Sequence, residues 1–282
     1  MSERVFIIGA GRVGQGLARA FRLGGVDIVG LHGRRPLDMA TSSGPIPHTV
    51  SAANVVLLAV RDAQIDDAVG ELLSGRSPLV APSAVVIHTS GTAEPHSFAE
   101  LAAREIAAGT FHPLVPFVRP ERAPELLHGA WVGIDGAPAA RAASRRLAGN
   151  VGARTLDIPA GQKAAYHAAA VFAANFPVAL AAMGSDLLQS LGVPARSANG
   201  AVESLMRGSV SNIDGGSPGD ALTGPIARGD LAMVRQHLAA LRRDERLLGV
   251  YRRLSLASLP IAARNGVDPA RLREIEKALR GQ

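Results

Sequence analysis

The chain has 282 residues, 47% hydrophobic and only 4% aromatic, enough for one large or two medium domains whose cores are filled by Ala, Val and Leu. Cysteine is absent, which excludes disulfides and thiolate metal sites and leaves secretion without support. The net charge of +6 sets 28 Arg and two Lys against 24 acids, the cations scattered in runs no longer than two and with few aromatics for base stacking, so the basicity does not describe a nucleic-acid site.

The chain begins with a short apolar run, Arg4 to Ile8, that reads as a central parallel strand buried on both faces. Such an early strand is expected to leave no room for a signal peptide. Next comes Gly9-Ala10-Gly11-Arg12-Val13-Gly14, and then Val13, Leu17, Ala20 and Phe21 recur at helical spacing up to a stop at Gly24-Gly25. A GxGxxG turn between a strand and a helix suits a dinucleotide. Its first glycine makes the tight turn, its second lets a pyrophosphate approach, and its third lets the helix pack on the sheet. The helix start offers unpaired N–H groups to the pyrophosphate. A glycine turn with no ligand is the other reading of these residues.

The second apolar run, Val26 to Leu31, ends in Gly33-Arg34-Arg35. An NAD site places an acid here to accept from the ribose hydroxyl, whereas a guanidinium fork suits a phosphate. Arg34 and Arg35 therefore predict NADP(H), with a solvated arginine-rich loop as the alternative.

Further strands are expected over 55–60, 84–88, 109–111, 131–134 and 154–158, with helices between most of them. The exits of the third and fourth strands, Ala59-Val60-Arg61 and Thr89-Ser90, are expected to line the dinucleotide. From Ala160 the strand pattern stops. Helices are expected over 161–191, 194–208, 229–263 and 268–280, with an irregular stretch from Ser209 to Gly229. The expected fold is α/β: an N-terminal doubly wound Rossmann domain (1–158) followed by an all-helical domain (159–282). The apolar stretch from Ala164 to Ala182 is interrupted by Tyr166, His167, Asn175 and Pro177, so a cytoplasmic protein without membrane contact is expected.

Hydride transfer to a C=O or C=N carbon needs a proton source. Lys163 opens the first helix of the second domain and, in a chain that otherwise uses arginine, is the first candidate; an exposed helix lysine is the alternative. His167, four residues on, can share its face or serve as a packing residue. Asn175 is expected to be buried, next to a kink at Pro177, and to contact substrate. His112, before Pro113 at a strand end, is a substrate contact or a turn residue. Arg228 is a candidate clamp for a substrate carboxylate, and Asp230 reads as an N-cap. No pair of histidines or acids has metal-ligand spacing, so no metal is expected.

Four segments carry a family resemblance over almost the whole chain: Ile7 to Gly14, Thr110 to Leu114, Gln162 to Ala170, and Ala221 to Asp230. The chain resembles a bacterial family in which a Rossmann-like NADP domain precedes a helical domain of formerly unknown function. That family is similar to ketopantoate reductases, hydroxyisobutyrate dehydrogenases and pyrroline-carboxylate reductases, and some members are alternative 2-dehydropantoate 2-reductases. The resemblance implies an NADPH-dependent reductase of a small 2-oxo acid, with Lys163 as proton donor. His167 replaces the asparagine of the hydroxy-acid enzymes, a departure that leaves the substrate open. Thr223 lies in the fourth segment, beside the expected clamp. The His112-Pro113 pair resembles one in prephenate dehydrogenases and implies a carboxylate-bearing substrate. An imine reductase, a prephenate-type dehydrogenase and a non-catalytic NADP-binding sensor are the rival readings. The alanine-rich helices suggest a homodimer face.

Overall fold

The computed structural model describes residues 3–37, 39–74, 78–81, 83–213 and 216–282. Gly215, within the expected irregular stretch, lies outside them. The strands are β1 (Arg4–Ile8), β2 (Asp27–Gly33), β3 (Ser42–Ser43), β4 (Val55–Leu58), β5 (Val85–His88), β6 (Ala107–Pro113), β7 (Trp131–Gly136) and β8 (Arg154–Asp157). They form one sheet in the order β3-β2-β1-β4-β5-β6-β7-β8. Every neighbouring pair is parallel except β6 with β7. Strand order reverses between β1 and β4, and at such a switch point the strand ends diverge to leave a crevice.

β1 shows why the sheet is buried on both faces. Val5 and Ile7 join Leu17, Phe21, Phe111 and Leu147 in one cluster, while Phe6 and Ile8 join Val56, Val69, Leu72 and Leu101 in another. Side chains alternate across a strand, so an unbroken apolar run feeds two cores at once. The first core is covered by α1 (Arg12–Leu23), α4 (Ala123–Leu127) and α5 (Pro138–Asn150), the second by α2 (Ile65–Leu72) and α3 (Ser97–Ala103).

The remaining helices are α6 (Lys163–Ser190), α7 (Ala195–Ser211), α8 (Gly224–Arg228), α9 (Leu231–Ala240), α10 (Glu245–Arg264) and α11 (Pro269–Arg280). The helix expected over 229–263 is two helices, because the Asp244 side chain accepts from Leu247 N and starts α10 afresh. Asp230 caps α9 as expected, accepting from Met233 N at 3.0 Å.

The compact units meet at Asn175 and Phe176, inside α6, whereas the sequence places the boundary at 158–159. The first turns of α6 belong with the sheet because Lys163, Tyr166 and His167 are engaged there. The second unit has its own core of Ile226, Val234, Leu259, Ala262, Leu272 and Ile275. By length and composition α6 is also apolar enough to cross a bilayer, with a mean hydropathy of 1.5, despite the polar residues that interrupt it.

Candidate active site

The glycine turn is built by close approach. Gly9 has φ +115°, open to glycine at little cost, and a Cβ there would stand 2.3 Å from the Ala59 carbonyl oxygen. Its N–H is held by the His32 carbonyl at 2.8 Å, which pins the exit of β1 between β2 and β4. A Cβ on Gly14 would come within 1.8 Å of the Gly9 oxygen, so α1 can start only against a bare backbone. Gly11, between them, has no neighbouring atom within 4 Å of where its Cβ would be. No side chain caps α1, so its first N–H groups face outward together with their partial positive charge. The turn therefore fits a pyrophosphate, with Ala10 buried beneath it and Arg12 and Val13 opening the helix.

Arg34 and Arg35 are exposed just past β2. Arg34 has a long contact, 3.8 Å, with Asp67, a pair exposed enough to be exchanged for a phosphate. Ala59 and Val60 are half-buried at the exit of β4, and Arg61 is exposed beyond them. Thr89 lies over the Leu58 carbonyl. Ser90 is turned inward: its hydroxyl oxygen accepts from Thr92 N and Ala93 N at 3.2 and 2.9 Å, leaving its O–H as the donor it can offer.

Beyond the exit of β5, three segments converge. His112 closes β6, His167 stands on the second turn of α6, and their ring centroids are 5.9 Å apart. The backbone of Gly91 wedges between them, since a Cβ there would meet both rings at 2.8 Å. Nδ1 of His112 is 2.8 Å from the Tyr166 hydroxyl, and the Tyr166 ring meets the imidazole edge-on. Tyr166 reaches this place because position 133 is glycine: a Cβ there would lie 2.2 Å from the phenol oxygen. Burial, with the neighbouring His167, lowers the pKa of His112 to about 4, and burial raises that of Tyr166 to about 12. Both are therefore neutral at physiological pH.

Lys163 faces elsewhere. Its ammonium donates to the Ala93 carbonyl at 2.8 Å and pairs with Asp135 Oδ2 at 3.2 Å, and the residue is only 6% exposed. Asp135 arrives by strand register, opposite Thr110 on β6. Thr110 Oγ1 is 3.2 Å from Nε2 of the buried His88, whose Nδ1 accepts from Ser90 N. Desolvation and the Lys163 charge lower the His88 pKa to about 4. A neutral His88 that accepts at Nδ1 must donate from Nε2, so this chain of bonds ties β5 to β6. Beside the ion pair opens a cleft of about 490 Å³, with Glu94, Phe98 and Arg141 in its wall as well as Asp135 and Lys163.

Of the residues singled out from sequence, His112 and His167 are brought together, and Lys163 lies on the same helix but points to Asp135. Asn175 is exposed, not buried. Thr223 and Arg228 are exposed residues of the second unit, at the N-cap and last turn of α8. Sequence reasoning missed Tyr166, Asp135 and His88. Tyr166 carried a signal, being one of only two tyrosines and placed between Lys163 and His167. Asp135, an acid at the end of an apolar strand, carried a weaker one. Among the described residues no group of three or more His, Asp or Glu side chains could hold a metal.

Residues 130–258 match the family model of a domain of unknown function, DUF2520. No curated protein matches the chain in sequence. Among solved structures, a Bacteroides fragilis protein, BF3122, named as a candidate NADP oxidoreductase, is 21% identical with a TM-score of 0.70, the alignment covering 92% of this chain and 98% of that one. Protein TM1727 from Thermotoga maritima matches with the same coverage and TM-score at 22% identity. The pyrroline carboxylate reductase of Plasmodium falciparum, solved with NADP bound, is 12% identical with a TM-score of 0.62, covering 98% of each chain. The likeness is one of fold: a Rossmann-type sheet followed by a helical region.

Proposed function

We propose that the protein is an NADPH-dependent reductase of a small 2-oxo acid, of the 2-dehydropantoate type. The observation that carries this reading is the convergence of His112 and His167 on Gly91, with Tyr166 joined to His112, past the exit of a strand in the same parallel set as the glycine turn. Sites in open α/β sheets lie at that end.

The glycine turn and the start of α1 would hold the pyrophosphate, Arg34 and Arg35 the additional phosphate, and Ala59 to Arg61 with Thr89 and Ser90 the rest of the dinucleotide. When bound, the dinucleotide supplies the hydride. The chain's own work is to bind the 2-oxo acid and deliver a proton to its carbonyl oxygen. Lys163 and His167 are the proposed proton-bearing groups, and His112 the contact to the oxygen. Asp135 and the Ala93 carbonyl fix the Lys163 ammonium, engaging two of its three donors. The exposed apolar residues Val178 and Leu187 on α6, Leu191 in the turn after it and Leu205 on α7 support a homodimer face, and a cytoplasmic location is part of the same reading.

The test is NADPH oxidation followed against 2-dehydropantoate, other 2-oxo acids and cyclic imino acids. Turnover with a 2-oxo acid is expected. Turnover confined to the imino acids would replace the carbonyl reading, and nucleotide binding without turnover on any of them would favour a sensor.

A further inference from the structure

Neutral histidine has one donor nitrogen and one acceptor nitrogen, and which is which depends on the partner it is given. For His112 that partner is Tyr166, whose hydroxyl is 2.8 Å from Nδ1. The surroundings of the phenol favour one direction for this bond. The Gly133 backbone stands against the phenol oxygen, and the nearby Ile158 presents only a methyl group, 3.0 Å from where a Gly133 Cβ would stand. Among the described residues the phenol proton thus has one acceptor, Nδ1 of His112. With the phenol donating to Nδ1, the imidazole carries its own proton on Nε2.

We propose that Tyr166 is a positioning residue that holds His112 as the Nε2–H tautomer, so that His112 presents a donor to the substrate's carbonyl oxygen. The inference rests on the reductase reading of this site and deepens it. Three features make the arrangement rigid. Gly133 leaves room for the phenol that a side chain would occupy. The edge-on contact of the two rings fixes their relative orientation. The Gly91 backbone closes on the imidazole, its absent Cβ falling 2.8 Å from Cε1 and 3.0 Å from Nδ1. The charged and titratable groups that face His112 are His167 and Tyr166 from α6, Asp62 from the segment after β4, and His88 from β5. The histidine charge disfavours protonation and the aspartate favours it. Loss of the phenol should therefore free the tautomer without charging the ring.

The experiment is nitrogen-15 NMR of histidine-labelled protein, with His112 assigned by His112→Gln. The expected wild-type signal pairs a protonated Nε2 with an unprotonated, hydrogen-bonded Nδ1. In Tyr166→Phe the two nitrogens should move toward a mixed-tautomer average. In steady-state kinetics of the same variant, kcat for the 2-oxo acid should fall about ten- to a hundred-fold, with little change in the KM for NADPH. A wild-type Nδ1–H tautomer overturns the proposal, as does a Tyr166→Phe spectrum identical to wild type. If the tautomer signature is as expected but the wild type turns over none of the acids, the reductase reading fails, and with it the role at the carbonyl. The spectra and the kinetics separate those two failures.

Discussion

Nζ of Lys163 stands 3.2 Å from Oδ2 of Asp135, joining the first turn of α6 to the antiparallel strand β7. The lysine is almost wholly enclosed and the aspartate about one-fifth exposed as a side chain. Removing one partner leaves the other charge in a poorly hydrated place, which costs far more than losing a surface pair. Lys163→Met and Asp135→Asn should each lower unfolding free energy by roughly 3 kcal/mol. Denaturant titrations of both single variants and the double variant measure the coupling. A coupling below about 0.5 kcal/mol, as for exposed pairs, would contradict the buried-pair account.

The glycine turn makes two opposite predictions. A methyl group on Gly14 would collide with the Gly9 carbonyl, so Gly14→Ala should lower the melting temperature and abolish nucleotide binding. A methyl group on Gly11 meets no protein atom, so Gly11→Ala should melt with the wild type yet bind NADPH weakly. Scanning calorimetry paired with a nucleotide titration checks both. Undiminished NADPH affinity in Gly11→Ala would remove the pyrophosphate from this turn.

Arg34 and Arg35 should discriminate between nucleotides. Replacing both with Ala is expected to weaken NADPH by about ten- to a hundred-fold, the range for losing charge-assisted hydrogen bonds to a phosphate, and to leave NADH nearly unchanged. Dissociation constants for both nucleotides decide it. Equal weakening would refute the assignment of the phosphate to these arginines.

His88 should make stability depend on acidity. Its folded pKa of about 4 lies below its ordinary value of 6.5, so between the two the unfolded chain binds the extra proton. Stability is then fully present above about pH 6.5 and falls as pH drops toward about 4, by about 3 kcal/mol from this one buried residue. Urea unfolding at a series of pH values should show that slope, and His88→Gln should flatten it. An unchanged slope in the variant would assign the acid sensitivity to other groups.

The N-terminal strand-turn-helix is legible in the sequence because its signals are local. Strand β1, the glycines and the helix of Leu17 and Phe21 lie within about twenty consecutive residues, and period and turn chemistry define them. The site is less so. Asp135 meets Lys163 because β7 runs antiparallel to β6 with Thr110 opposite Asp135, a register no nearby residue announces. Tyr166 matters because Gly133, far away in sequence, makes room for it. Asn175 misleads for a related reason: helical spacing places it two turns beyond His167, but burial depends on what packs against that turn of α6, which helical periodicity does not encode. The break between α9 and α10 is different. Asp244 is a local cap signal, hidden within a pattern that otherwise runs on as one helix.

Calorimetric titration of the purified protein with NADPH, beside NADH, is the most direct test of the central claim that a phosphorylated dinucleotide docks on the N-terminal unit. Saturable heat with NADPH, and markedly weaker binding of NADH, is the expected result. No heat with either nucleotide would contradict it.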